Sequence, residues 1–161
     1  MRGFFAITLP LYIADQITKL MAFQGLREPI VVVPGFFELE LAFNTGAAFG
    51  IMRDNNIFFV WLSTIAGIVL CFLLALGKLE GRLMTIGGWL ILAGILGNLT
   101  DRLWNHAVID FLAFQFGSYR WPNFNIADSC ICVAVGLFFI ASFQTPSPPK
   151  TKEPEPEPPV E

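Results

Sequence analysis

Four long apolar stretches dominate the chain, at about residues 3–23, 57–77, 83–104 and 125–143. Each approaches the roughly 20 residues that an α-helix needs to cross the hydrocarbon core of a bilayer. The pattern therefore predicts four membrane-spanning helices. The first stretch carries Asp15 and Lys19 and has no small-residue cleavage site followed by a soluble domain, so we interpret it as a retained span rather than a signal peptide.

The segments after the first and third spans would lie on the same side of the membrane. Residues 36–43 place Phe37, Leu39, Leu41 and Phe43 at alternate positions, and this period of two predicts a half-buried strand. The stretch from Phe111 to Phe124 is rich in aromatic residues, which concentrate at headgroup level, so we expect an interfacial loop. The predicted fold class is an all-α polytopic membrane protein, with four transmembrane helices, a small extracytoplasmic β-strand region and this loop.

The short connection between the second and third spans sets the expected orientation. Lys78 and Arg82 lie within five residues there, and short cationic loops remain in the cytoplasm, so both termini are expected to be cytoplasmic. We assign 1–143 to a four-span membrane domain. Residues 144–161 are rich in Pro and Glu and cannot bury apolar surface, so we expect a disordered tail that is dispensable for chemistry.

Composition excludes several classes of function. The chain is 55% hydrophobic and only 14% charged, which is too apolar for an ordinary soluble domain, and it has no basic patch for nucleic acid. The single histidine, His106, is predicted in a loop, and no second cluster of oxygen ligands accompanies the aspartates, so we expect neither a metal nor another cofactor.

Three aspartates, Asp101, Asp110 and Asp128, lie where the chain passes through or against lipid. A carboxylate at membrane depth is costly unless it is paired or hydrated, so each is a functional candidate. Asp101 has a structural alternative, an ion pair with Arg102 that anchors the end of the third span. Asp128 also has one, because Asn125 and Asp128 are spaced as the N-cap and N3 residues of the fourth span.

Asp110 has no basic neighbour in sequence and needs a partner in space. Another carboxylate is one solution, since two acids that share one proton carry a single charge and activate a water between them. This is the chemistry of aspartic proteases. We expect Asp128 to be the ionised member, because it lies at a helix N-terminus, and Asp110 to hold the shared proton in an apolar segment.

Other polar residues occur as short groups. Asp15 and Lys19 are four apart on the first span and can pair, for structure alone or to orient a site. Asn98, Asp101 and Arg102 project from one face of the third span. The segment Phe43 to Gly50 combines Asn44 with small residues such as Gly46, and a turn before the second span explains it equally well.

Taken in order, these motifs closely resemble those of the bacterial lipoprotein signal peptidase (signal peptidase II) family. The resemblance extends to about Ser142 and is carried by Asp15-Gln16-x-x-Lys19, Asn44-x-Gly46-Ala47-Ala48-Phe49, Gly97-Asn98-Leu99-x-Asp101-Arg102, Val108-Ile109-Asp110-Phe111 and Phe124-Asn125-x-Ala127-Asp128. Any one of these motifs is weak evidence, but five in consistent order and spacing are highly specific.

The resemblance implies an inner-membrane aspartyl endopeptidase that removes the signal peptide from diacylglyceryl-modified prolipoproteins, before the lipidated cysteine. It implies an active site near the outer face and an extracytoplasmic β-cradle. We expect the protein to be a monomer surrounded by membrane lipids. The catalytic pair maps onto Asp110 and Asp128. The positions that support the site, or contact substrate and the inhibitor globomycin, are Asp15, Lys19, Asn44, Gly46, Asn98, Asp101, Arg102 and Asn125.

A small proton-coupled transporter is the alternative from another class, because intramembrane acids also form proton relays. The aromatic, strand-bearing outer segments and the acids at helix ends favour an interfacial active site over a pathway at the bilayer midplane.

Overall fold

The fold combines helices with one antiparallel sheet. The computed structural model describes residues 2–46, 52 and 54–144 of the 161-residue chain. The helices are α1 (Leu9–Gly25, preceded by a π-helical segment Phe4–Thr8), α2 (Asn56–Ala75), α3 (Arg82–Trp104) and α4 (Ile126–Ser142). The strands are β1 (Ile30–Val33), β2 (Phe37–Asn44), β3 (Val108–Phe116) and β4 (Tyr119–Arg120).

Two of these helices, α2 and α3, are long and apolar enough to cross a membrane, and α4 is apolar but has 17 residues. Large apolar side chains are exposed along α2, among them Ile57, Trp61 and Phe72. A helix that presents such residues outward is suited to contact lipid rather than water.

The prediction of an all-α fold with an interfacial loop is wrong. The two outer segments form a single four-stranded antiparallel sheet in the order β1-β2-β3-β4, and the expected loop contains most of β3 and all of β4. The first four residues of β3, Val108 to Phe111, are all buried, so this part of the strand lacks the apolar–polar alternation that reveals a half-buried strand. The strand predicted at 36–43 is confirmed, and it runs from Phe37 to Asn44.

The sheet brings the start of α4 to the middle of β3. Asp110 pairs with Ala42 of β2 in the register of the sheet. On the other side of β3, the Phe124 carbonyl accepts hydrogen bonds from the backbone N–H groups of Phe111 and Leu112, at 3.0 and 2.9 Å. Asn125, the next residue, is therefore held beside Asp110 before α4 begins.

Helix α3 is the central helix and contacts α1, α2 and α4. Glycines on α3 permit close approach: a Cβ atom at Gly94 would lie 2.5 Å from the Ala127 carbonyl oxygen, and one at Gly97 would lie 2.5 Å from Asp15 Oδ2. Small residues at helix contacts are typical of packing in lipid. The start of α4 thus lies directly against α3.

We expect Gly94→Ala to destabilise the protein, because its methyl group would meet backbone rather than a movable side chain. Overpacking of this kind costs about 1–3 kcal/mol. Gly136→Ala is the matched control, since nothing lies within 4 Å of its Cβ position. Thermal unfolding of the purified variants measures both, and an unfolding temperature for Gly94→Ala equal to that of Gly136→Ala would contradict the close packing.

Candidate active site

The site rests on a buried lysine. Lys19 is 1% exposed, and its Nζ atom lies 2.8 Å from Asp15 Oδ2 and 2.9 Å from Asp101 Oδ2. It also donates to Asn98 Oδ1 at 3.1 Å. An ammonium group has three N–H donors, and these three acceptors match them. A buried network of ion pairs thus joins α1 to α3.

The same two carboxylates hold the neighbouring elements. Asp15 Oδ1 accepts a hydrogen bond of 2.8 Å from the backbone N–H of Ala127, in the first turn of α4. Asp101 Oδ2 accepts one of 3.1 Å from the backbone N–H of Ile109, in β3. The carboxylates paired with Lys19 therefore fix the backbone next to Asp128 and next to Asp110.

Asn125 connects the last two aspartates. It caps α4 in a reciprocal box: its Oδ1 atom accepts from the Asp128 backbone N–H at 2.9 Å, and its own backbone N–H donates to Asp128 Oδ2 at 3.2 Å. Its Nδ2 atom donates to Asp110 Oδ1 at 2.7 Å. One fully buried amide side chain thus sets the relative positions of both carboxyl groups.

Two further amides complete the surroundings of this pair. Asn98 Nδ2 donates to Asp128 Oδ1 at 2.8 Å, and Asn44 Nδ2 donates to Asp110 Oδ2 at 3.2 Å. Within the described residues, the ion pairs involve other carboxylates, so Asp110 and Asp128 are held by amides and by no direct cation contact. Their charge is only partly compensated.

This environment perturbs Asp110, which is 2% exposed and lies in β3, outside the helices. Burial, and after it the nearby Asp128 carboxylate, raise the pKa of its carboxyl to about 7, against the opposing effect of the Asn44 and Asn125 hydrogen bonds. Asp110 is therefore suited to hold a proton near neutral pH.

Two depressions meet at Asp128. The first, which we call the polar cavity, has a volume of about 210 Å³, and its wall includes the polar residues Asn44, Ser63, Asn98, Arg102 and Asp128. The second, which we call the apolar groove, has about 560 Å³ and runs between residues 121–124 and the outer face of α4. Asn44, Asp128 and Ile131 line both.

The groove wall is held by a polar contact outside the site. Glu40 Oε2 on β2 accepts hydrogen bonds from Arg120 and, at 3.1 Å, from Asn123 Nδ2. Trp121, Pro122 and Phe124, which line the groove, lie on either side of Asn123. The sheet therefore positions one wall of the groove as well as Asp110.

Comparison with known proteins matches residues 7–144 to the model of a family described as signal peptidase (SPase) II. The chain belongs to the signal peptidase II family. This membership makes it a membrane protease, and nothing in the comparisons supports the transporter alternative.

Relatives named lipoprotein signal peptidase occur in distant bacteria. The protein from Symbiobacterium thermophilum is 38% identical over 130 residues, which cover 80% of this chain and 86% of that one. The protein from an Azoarcus species is 41% identical over 134 residues, covering 81% and 76%. The protein from Francisella tularensis subsp. novicida is 38% identical over 148 residues, covering 88% and 92%.

Solved structures agree with the fold. One bacterial membrane enzyme, determined by the in meso method, superposes with a TM-score of 0.81 and 31% identity, covering 94% of this chain and 93% of its own. A second has a TM-score of 0.75 and 30% identity, covering 87% and 92%. The arrangement of helices and sheet in this chain is therefore similar to that of these two membrane enzymes.

The structure brings the sequence-predicted residues into one connected cluster. The Asp15–Lys19 pair and the capping box of Asn125 and Asp128 form as predicted. The expected pair of Asp101 with Arg102 is wrong: Asp101 pairs with Lys19, because the two residues face different neighbours at the end of α3. Arg102 Nη2 instead donates to the Gly46 carbonyl at 3.0 Å.

Sequence reasoning missed three contributors. Phe59 on α2 packs its ring 5.1 Å from the Arg102 guanidinium, and Asn56 Nδ2 donates to the Arg102 carbonyl at 3.1 Å. The third is Glu40, which accepts hydrogen bonds from Arg120 and Asn123. The available signal was Asn56, the first residue of α2, because this polar side chain had no assigned partner.

We expect Lys19→Met to destabilise the protein strongly, because Asp15 and Asp101 would remain buried without their cation. Breaking a buried ion pair costs about 3–5 kcal/mol. Lys78→Met, at an exposed position, is the control. Unfolding of both variants in the same detergent measures the difference.

Addition of Asp15→Asn to Lys19→Met should recover part of the loss, since it removes one of the two uncompensated charges. If Lys19→Met unfolds at the same temperature as Lys78→Met, Lys19 does not neutralise the cluster.

Proposed function

We propose that this signal peptidase II is an aspartic endopeptidase that removes the signal peptide from diacylglyceryl-modified prolipoproteins and cuts before the lipidated cysteine. The reaction needs no metal and no covalent intermediate, and Asp110 and Asp128 are its catalytic pair. The observation that carries the proposal is the Asn125 side chain, which hydrogen-bonds to Asp110 and caps Asp128.

Asp128 acts as the base in this mechanism and Asp110 as the acid. Asp128 takes one proton from water, and the water oxygen attacks the carbonyl carbon of the scissile bond. Asp110 gives its proton to the carbonyl oxygen. The resulting tetrahedral diol collapses as the C–N bond breaks: the leaving nitrogen takes the proton that Asp128 received, and one diol O–H returns its proton to Asp110, which restores the resting pair and leaves a carboxylic acid. The raised pKa of Asp110 supports its role as the acid.

The apolar groove provides the place for the substrate. Its wall contains Trp121, Phe124 and Val133, and it ends at Asp128 and Asn44. Burial of an apolar peptide or acyl chain against such a surface lowers the free energy of binding. The few polar groups at the end of the groove orient the reacting bond. This combination suits a lipidated peptide better than a polar one.

Eight supporting positions belong to the proposal. Lys19, Asp15, Asp101, Asn98 and Asn125 hold the pair through the contacts given above. Asn44 lies at the end of the groove, where it faces the substrate, and Gly46 and Arg102 line the polar cavity beside Asp128. The proposed active unit is a monomer among membrane lipids.

The proposed location is the bacterial inner membrane, with both termini in the cytoplasm and the active site near the outer face. The loop cations Lys78 and Arg82, at the opposite end of α3 from Asp101, support this orientation. The proposed membrane domain is 1–143, and 144–161 is a dispensable cytoplasmic tail. Residues 145–161 lie outside the described residues.

We expect Asp110→Asn and Asp128→Asn each to lower kcat by about 10³-fold or more, because both acids of the pair are needed for proton transfer. Glu28→Gln, which neutralises an exposed carboxylate, is the control. Cleavage of a purified lipidated precursor, followed by gel shift with and without globomycin, measures activity. Near-normal turnover by either Asp→Asn variant would remove that residue from the pair.

The pH dependence should follow the proton on Asp110. The acid form is present below its pKa of about 7 and is lost as the pH rises through that value, so kcat should fall on the alkaline side. The profile reports constants of the coupled pair rather than of one residue. Return of the sample to pH 6 should restore the rate, and a kcat that stays constant up to pH 9 would contradict the assignment.

A further inference from the structure

The polar cavity and the apolar groove are lined largely by different parts of the chain. Its walls come largely from α2 and α3, through Ser63, Gly94, Asn98 and Arg102. The groove is walled instead by residues 121–124 and the outer face of α4. The two meet at Asp128, so this carboxylate can be approached from either one.

The polar side chains in its wall indicate what the polar cavity holds. Hydrogen-bond donors and acceptors line it together, from Ser63, Asn98, Arg102 and Asp128. Groups of this kind, withdrawn from bulk solvent, usually bind ordered water. At about 210 Å³ the cavity has room for several waters, since each takes about 30 Å³ of liquid volume.

Hydrolysis creates a need for such water. Each bond cleaved consumes one water, yet an apolar peptide in the groove would displace water from that side of Asp128. A second compartment that reaches the same carboxylate would supply the nucleophile while the groove is occupied.

We propose that the polar cavity between α2, α3 and Asp128 is the water store that supplies the nucleophile for hydrolysis. This inference rests on the proposed function. Arg102 and Asn98 hold the water, and the substrate enters by the groove.

The test is to fill the cavity with a larger side chain on α2, which carries neither member of the proposed catalytic pair. Ser63→Leu adds bulk at the α2 wall, and Cys71→Leu makes a similar increase at an exposed position on the same helix. For Ser63→Leu we expect kcat to fall at least tenfold with KM within twofold of wild type. For Cys71→Leu we expect both within twofold, and thermal unfolding should show both variants folded.

Two kinetic results would overturn the proposal. A normal kcat for Ser63→Leu means that the cavity does not supply the water, and an effect confined to KM means that it binds substrate instead. The catalytic pair is tested separately: loss of activity in Asp110→Asn with normal activity in Ser63→Leu would reject the water store and leave the proposed function intact.

A measurement without turnover is also available. A high-resolution crystal structure of the wild-type protein should contain ordered water in the polar cavity, within hydrogen-bond distance of Ser63 or Asp128. An acyl chain or a substrate side chain in that position would contradict the proposal, even if Ser63→Leu failed to fold.

Discussion

The neutralisation of two buried carboxylates by Lys19 is the interaction on which the rest of the site depends. Asp15 and Asp101 are both less than 4% exposed, and they accept from the backbone beside Asp128 and beside Asp110. Without the ammonium group, these two charges would repel each other in a region of low dielectric constant. The lysine therefore permits the contacts by which α1 and α3 hold α4 and β3.

This arrangement also affects the charge of the proposed catalytic pair, Asp110 and Asp128. Because Lys19 already contacts Asp15 and Asp101, it is not in ion-pair contact with Asp110 or Asp128. Amide groups of Asn44, Asn98 and Asn125 stabilise a carboxylate by hydrogen bonding but add no positive charge. A pair with such surroundings is stabilised with one proton and one negative charge, which is the state an acid and a base require.

Local patterns predicted the parts of the molecule that depend on local chemistry. The Asp15–Lys19 spacing and the Asn125–Asp128 cap each involve residues within four positions, so the sequence was sufficient for them. The four-stranded sheet was not predicted, because β3 is buried without alternation and finds its partner β2 some 70 residues earlier. The Lys19–Asp101 pair was not predicted for the same reason: the sequence suggested the adjacent Arg102 as the partner of Asp101, whereas the true partner comes from α1.

The central claim is that Asp110 holds the proton and Asp128 the charge in the resting enzyme. Isotope-edited infrared spectroscopy on the intact pair, with one aspartate labelled at a time, measures this directly, because a variant at either position would remove the coupling. At pH 6 the account predicts a protonated carboxyl signal from labelled Asp110 and a carboxylate signal from labelled Asp128. A protonated signal from Asp128, with Asp110 ionised, would contradict it.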